Sequence, residues 1–199
     1  VVNDDFANFA YRKYFGIQAS ACNFLVRLAV IRENGLHFMN SKFWEDTVFT
    51  LELVTYIQRA VLLPDITYTY LCRHNSLTDI KPNESIAKKE MIQYFEAVEQ
   101  LKERKRQMIT KSYFPGRRYI AMMSDIYIIC NILKRWKHIS PSFTNQELKR
   151  YLKHPASLVE ILSFKSKRLQ NLMLYLLGKM PANICIHLIR YAGKRKGLI

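Results

Sequence analysis

From Asn83 onward, apolar residues recur at helical spacing between proline breaks, and this constrains the fold more than any other feature. Ser85 to Met108 carries Ile86, Met91, Tyr94, Phe95, Val98 and Leu101 on one side and a Lys/Arg/Glu face on the other. Pro115-Gly116 predicts a break, Arg118 to Trp136 an apolar helix, and Ser140-Pro141 a second break. Thr144 and Glu147 have the spacing of a capping box, and His154-Pro155 stops the short helix they open. Leu158 to Leu177 and Ile184 to Tyr191 complete the pattern, split by Pro181. Residues 83–199 therefore predict a helical C-terminal extension.

Residues 1–82 read differently, as a mixed α/β portion with short elements. Asp4 to Phe15 predicts a short amphipathic helix capped by Asn3 or Asp4, and Ile17 to Val26 a small-residue strand or extended segment. Leu28 to Glu33 predicts a helix closed by Asn34-Gly35. A longer helix follows from about Trp44 to Gln58. Arg59 to Leu63 and Ile66 to Cys72 have strand composition, with Pro64-Asp65 supplying turn chemistry between them.

Charge divides along nearly the same line. The chain carries a net +15, but residues 1–99 hold 10 Lys or Arg against 12 Asp or Glu, while residues 100–199 hold 21 against 4. A +17 excess in one half exceeds what solubility requires and points to a polyanionic partner. With 49% hydrophobic residues and only six Gly and six Pro in 199, disorder and low complexity are excluded. No apolar run approaches the roughly 20 residues that span a bilayer. The opening Val1-Val2-Asn3-Asp4-Asp5 has no signal-peptide character, and the expectation is that the chain begins inside a longer protein. Cys22, Cys72, Cys130 and Cys185 are widely spaced and form no metal-binding pair, which predicts buried reduced thiols.

Two constellations could carry chemistry. In Phe43-Trp44-Glu45-Asp46-Thr47-Val48-Phe49, adjacent carboxylates open a helix that is otherwise apolar. The helix dipole and free N–H groups keep such a carboxylate ionised, as a general base requires; ordinary capping explains the same pattern. Trp44 and Phe43 could wall a sugar ring, and both equally suit a core. In Tyr68-Thr69-Tyr70-Leu71-Cys72-Arg73-His74-Asn75-Ser76, a strand runs into a cation and hydroxyls that could meet a phosphate or sugar; a plain polar loop is the alternative.

Taken in order, these segments resemble a known family. Ser20 to Arg27, Ile31-Arg32-Glu33-Asn34-Gly35-Leu36-His37-Phe38, Trp44 to Phe49 and Tyr68 to Ser76 together look like the acceptor-side half of a family 2 glycosyltransferase with a GT-A fold. The resemblance covers roughly residues 17–80. The helical extension resembles the variable C-terminal part of bacterial polysaccharide enzymes. The family implies inverting transfer from a nucleotide-sugar donor to a glycan or lipid-linked acceptor, with a divalent metal (Mg or Mn) on the diphosphate. It implies Asp46 as the base that deprotonates the acceptor hydroxyl and Glu45 as its positioning neighbour. Arg73, Ser76 and His74 would lie near the donor diphosphate.

The family's nucleotide-binding half and Asp-x-Asp metal motif should precede the Glu-Asp pair by roughly a hundred residues, whereas 45 residues precede Asp46. Residues 1–82 are thus expected to be the acceptor-side part of a transferase domain, binding donor poorly alone. The resemblance also implies work at the cytoplasmic face of the plasma membrane. A basic extension would rest on anionic lipid, each Lys or Arg near the surface contributing about 1 kcal/mol. Tyr175, Tyr191, Trp136 and the Leu-rich last helices could touch that interface, or simply bury against each other. The alternatives are a non-catalytic basic module on a membrane or on nucleic acid. No zinc spacing, RNP-like motif or helix-turn-helix pattern supports nucleic acid, which is not expected as a partner.

Overall fold

A computed structural model describes residues 2–3, 6–12, 20–41, 44–63, 65–66, 68–69, 71, 85–103 and 108–199. Helix dominates, with a few two-residue strands. In chain order the helices are α1 (Phe6–Arg12), α2 (Leu28–Glu33), α3 (Glu45–Leu53), α4 (Lys88–Glu103), α5 (Phe114–Lys134), α6 (Asn145–Lys149), α7 (Leu158–Leu162), α8 (Arg168–Lys179) and α9 (Ala182–Arg195). The longest, α5, touches α1, α4, α8 and α9 and forms the axis of the packing. Its apolar residues Met122, Ile128, Ile129 and Ile132 meet Phe95 and Val98 of α4, Leu148 and Leu152, and Cys185, Ile186 and Ile189 of α9. The Phe95 and Tyr151 rings stack with centroids 3.8 Å apart.

Strands β1 (Val2–Asn3) and β2 (Ala60–Val61) pair antiparallel, with Val2 opposite Val61 and Asn3 opposite Ala60. Strands β3 (Ile86–Ala87) and β4 (Ile139–Ser140) pair in parallel inside the segment expected to be wholly helical. The Arg59–Leu63 strand shrinks to the two residues of β2. The described residues of the Ile66–Cys72 strand form none. A strand needs a neighbour for its N–H and C=O groups, and Ile66 is 94% exposed.

Other sequence expectations are corrected by packing. Pro115-Gly116 does not break the chain but lies in the first turn of α5, where proline's missing N–H costs nothing. A Cβ on Gly116 would overlap the Tyr11 carbonyl, so the absent side chain lets α1 press against α5. The single helix expected from Leu158 to Leu177 is two, α7 and α8. Phe164 leaves the helical line between them to bury against Phe114, ring centroids 6.0 Å apart. Asn34-Gly35 ends α2 as expected, Gly35 taking φ +58°. Cys130 and Cys185 are buried, and burial raises both thiol pKa values, but Cys22 is exposed. Its 3₁₀ turn (Ala21–Asn23) buries no residue. Cys72 lies outside the described residues.

The capping box forms as read. Glu147 N–H donates to Thr144 Oγ1 at 3.2 Å, and Thr144 N–H donates to Glu147 Oε2 at 2.7 Å. Lys88 Nζ donates to the other carboxylate oxygen at 2.5 Å, tying α6 to α4. That bond, with the Thr144 N–H, draws the Glu147 pKa down to about 2. Thr144→Ala should lower stability by about 1 kcal/mol in urea unfolding, the usual loss for an N-cap oxygen.

The two segments share a core. Ala7, Ala10 and Tyr11 of α1 and Val48 and Leu51 of α3 pack with Ala97 and Leu101 of α4 and Phe114 of α5. Buried polar contacts cross the same boundary. Glu52 of α3 pairs with Arg117 of α5, both nearly inaccessible, and the Tyr11 hydroxyl donates to the Leu51 carbonyl at 2.7 Å. Burial raises the Tyr11 pKa further out of reach of ionisation. Beneath this, Lys102 pairs with the inaccessible Asp125 and donates to the Tyr151 carbonyl at 2.7 Å. Burial pushes the Asp125 pKa up to about 7 against the pull of Lys102. Arg118, also inaccessible, donates to the carbonyls of Leu101 (2.6 Å) and Lys102 (3.2 Å). Burial, then the neighbouring Arg117 charge, lowers its pKa, yet a guanidinium retains its proton at neutral pH.

Candidate functional site

The site is built around the start of α3. Every residue from Val48 to Leu53 is buried, because Val48 and Leu51 pack into the core shared with α1 and α4 while Phe49 and Leu53 pack against Leu36 in the segment before it. Its far end is bolted to α5 through Glu52 and Arg117. Its near end is set by Trp44, which precedes the first turn at φ +61°, a left-handed conformation strained for a bulky side chain. The Trp44 ring overcomes that strain by packing. It meets Tyr94 of α4 edge-on at 5.7 Å and stacks on Tyr127 of α5 at 6.4 Å. Burial raises the Tyr94 pKa to about 12, so this contact stays neutral.

Trp44 therefore fixes the direction in which α3 sets out, and the sequence expectation of a sugar-stacking wall meets a ring already engaged by two tyrosines. The outlier left no trace in the sequence, since φ is decided by which partners the indole finds. Trp44→Ala should keep the backbone strain and lose the packing. About 2 kcal/mol of stability should go, read as a lower urea midpoint with an unchanged slope.

Glu45 and Asp46 occupy the first turn of α3 and are half-buried. Asp46 Oδ1 accepts from the Thr47 N–H at 2.7 Å and lies 3.4 Å from Thr47 Oγ1. Among the described residues neither carboxylate forms a salt bridge. Asp46 is thus oriented by its own helix.

A cleft of about 410 Å³ opens between the loop that leads into α3 and one face of α4. Asn40 and Ser41 form one wall, and Gln93, Glu96, Gln100 and Glu103 the other. These amides and carboxylates offer dense hydrogen bonding. Glu45 and Asp46 are not among the cleft's lining residues. The sequence shows this side of α4 as a Lys/Arg/Glu outer face and not as a site, although its Gln and Glu recur at helical spacing from Gln93 to Glu103 as one polar stripe.

Of the other sequence-derived site residues, Phe43, Arg73, His74 and Ser76 lie outside the described residues, as do Asp4 and Asp5. The structure therefore brings together Trp44, Glu45 and Asp46. Among the described residues no three His, Cys, Asp or Glu gather where they could hold a metal ion. Glu45 and Asp46 alone do not fit a divalent metal, and the resemblance implies one on an Asp-x-Asp motif ahead of them, not on this pair. No protein-family description, curated protein or solved structure matches the chain.

Proposed function

We propose that the chain is the acceptor-side part of an inverting family 2 glycosyltransferase, and that the layout is a partial GT-A-like α/β portion in residues 1–82 carrying a helical extension in residues 83–199. The observation that carries this reading is Asp46: a carboxylate without a salt bridge among the described residues, held at the N-terminus of a buried helix whose two ends are both fixed. A rigid base costs little reorganisation when the acceptor arrives. The acceptor oxygen attacks the anomeric carbon as Asp46 takes its proton. The bond from that carbon to the donor phosphate breaks with its electron pair, leaving as nucleoside diphosphate, and the sugar configuration inverts. Glu45 positions the acceptor or its neighbouring carboxylate.

A second feature supports a partial domain. In residues 24–71, Leu25, Leu28, Leu63, Ile66 and Leu71 are exposed, apolar residues of the kind that the other half of an α/β domain would cover. Donor and diphosphate chemistry belongs to that other half in the family. Transfer should therefore appear only in a polypeptide that includes it. The test is release of nucleoside diphosphate from a panel of nucleotide-sugars in the presence of hydroxyl acceptors, in such a polypeptide with Asp46 and with Asp46→Asn. No acceptor-dependent release from any donor would contradict the reading.

A further inference from the structure

The last two helices are apolar on both sides. Leu174 of α8 and Cys185, Ile186 and Ile189 of α9 face inward. On the opposite side of α8, Leu169, Met173 and Leu176 recur at i, i+4 and i+7, and the first two are 69% and 71% exposed. On α9, Ile184, Leu188 and Tyr191 repeat the same spacing, again exposed. Both helices rest on α5 by their inner faces and are joined only by Met180 and Pro181, so both stripes point away from the core. Val159 of the adjoining α7 is 78% exposed. Scattered exposed leucines are ordinary, but two registered stripes are not.

The charge around them is of one sign. Residues 161–199 contain eight Lys or Arg and no Asp or Glu. Arg168 and Lys179 flank the stripe on α8, and Arg190, Lys194 and Arg195 that on α9; all five are exposed. No helix of the described residues is long and apolar enough to cross a membrane. At 1.5 Å per residue, α8 and α9 are about 18 and 21 Å long, suited to lying in a plane.

We infer that α8 and α9 form a docking surface for an anionic lipid bilayer, with Leu169, Met173, Leu176, Ile184 and Leu188 entering the acyl boundary and the flanking cations meeting headgroup phosphates. The choice of occupant follows from satisfying both features together. Nucleic acid would neutralise the cations and leave the stripes in water. A second copy would cover the stripes but press like charges together. Anionic lipid accepts both, and Tyr191 has the amphipathic ring suited to headgroup level. This surface is independent of Asp46 and of the transferase reading.

The experiment is cosedimentation of the full chain with vesicles of phosphatidylcholine alone or with about 30% phosphatidylglycerol, at about 0.1 M salt. Binding is expected to the anionic vesicles and to weaken with added salt. Leu169→Glu/Met173→Glu/Leu188→Glu should lower it about tenfold or more with an unchanged circular dichroism spectrum. Ile66→Glu, in the other exposed apolar region, should leave it unchanged. If the triple variant fails to fold, Met173→Glu alone should still weaken binding several-fold. Equal retention on neutral and anionic vesicles, wild-type binding by the folded stripe variant, or a dimer that this variant dissociates would overturn the proposal. So would retention on duplex DNA tighter than on vesicles and insensitive to the stripe.

Discussion

Arg117→Leu should destabilise the protein by about 3–5 kcal/mol, a large share of the stability of a chain this size. The reason is what remains behind. Glu52 sits on α3 with its carboxylate buried, and Arg117 is paired with it. Removing the guanidinium takes a cation from beside a carboxylate in a low-dielectric interior, which raises the cost of keeping that carboxylate ionised. Arg117 itself is poorly served, since its Nε and Nη1 find no hydrogen-bond partner among the described residues. The pair is therefore costly as well as attractive, and Glu52→Leu/Arg117→Leu should recover most of the loss. Urea unfolding of the wild type, both singles and the double completes the cycle. A single variant within about 1 kcal/mol of wild type would mean that the ion pair is not what joins α3 to α5.

That junction also bears on how the two segments relate. The change in composition and charge after residue 82 suggests a boundary, yet α1 and α3 are packed and salt-bridged to α4 and α5. A sequence shows where character changes; it does not show that Gly116 admits a neighbouring backbone or that Glu52 finds Arg117. Elements set by local chemistry were legible: the Thr144 capping box, the Asn34-Gly35 stop and the acidic first turn of α3. Those set by distant partners were not. Phe164 splits an expected helix because Phe114 waits for it, and the described residues of a strand expected from tyrosines and threonines form none.

The candidate site follows the same rule. Glu45 and Asp46 were readable because a helix N-terminus and an apolar run are both local signals. The left-handed turn at Trp44 was not readable, because Tyr94 and Tyr127 supply its justification from 50 and 83 residues away in sequence. The apolar stripes on α8 and α9 lay in plain view as leucines, but which side faced the core depended on α5. Their exposure sets two apolar stripes beside the exposed cations of a basic segment.

On the proposed transferase reading, Asp46→Asn should reduce sugar transfer about 10²–10⁴-fold, the range expected for loss of a general base. The amide keeps the shape of the side chain and an oxygen for the Thr47 N–H, but cannot take the acceptor's proton. The hydrogen bonds of Asp46 among the described residues are confined to Thr47, so unfolding should shift by no more than about 0.5 kcal/mol. Glu45→Gln should cost less, because a positioning group leaves the proton transfer itself intact. The most direct test compares initial transfer rates from a nucleotide-sugar to a hydroxyl acceptor, using a polypeptide that also carries the donor-binding half, as wild type and as Asp46→Asn. Loss of transfer with a superimposable unfolding curve is the predicted result. Transfer at the wild-type rate by the Asp46→Asn variant would contradict it.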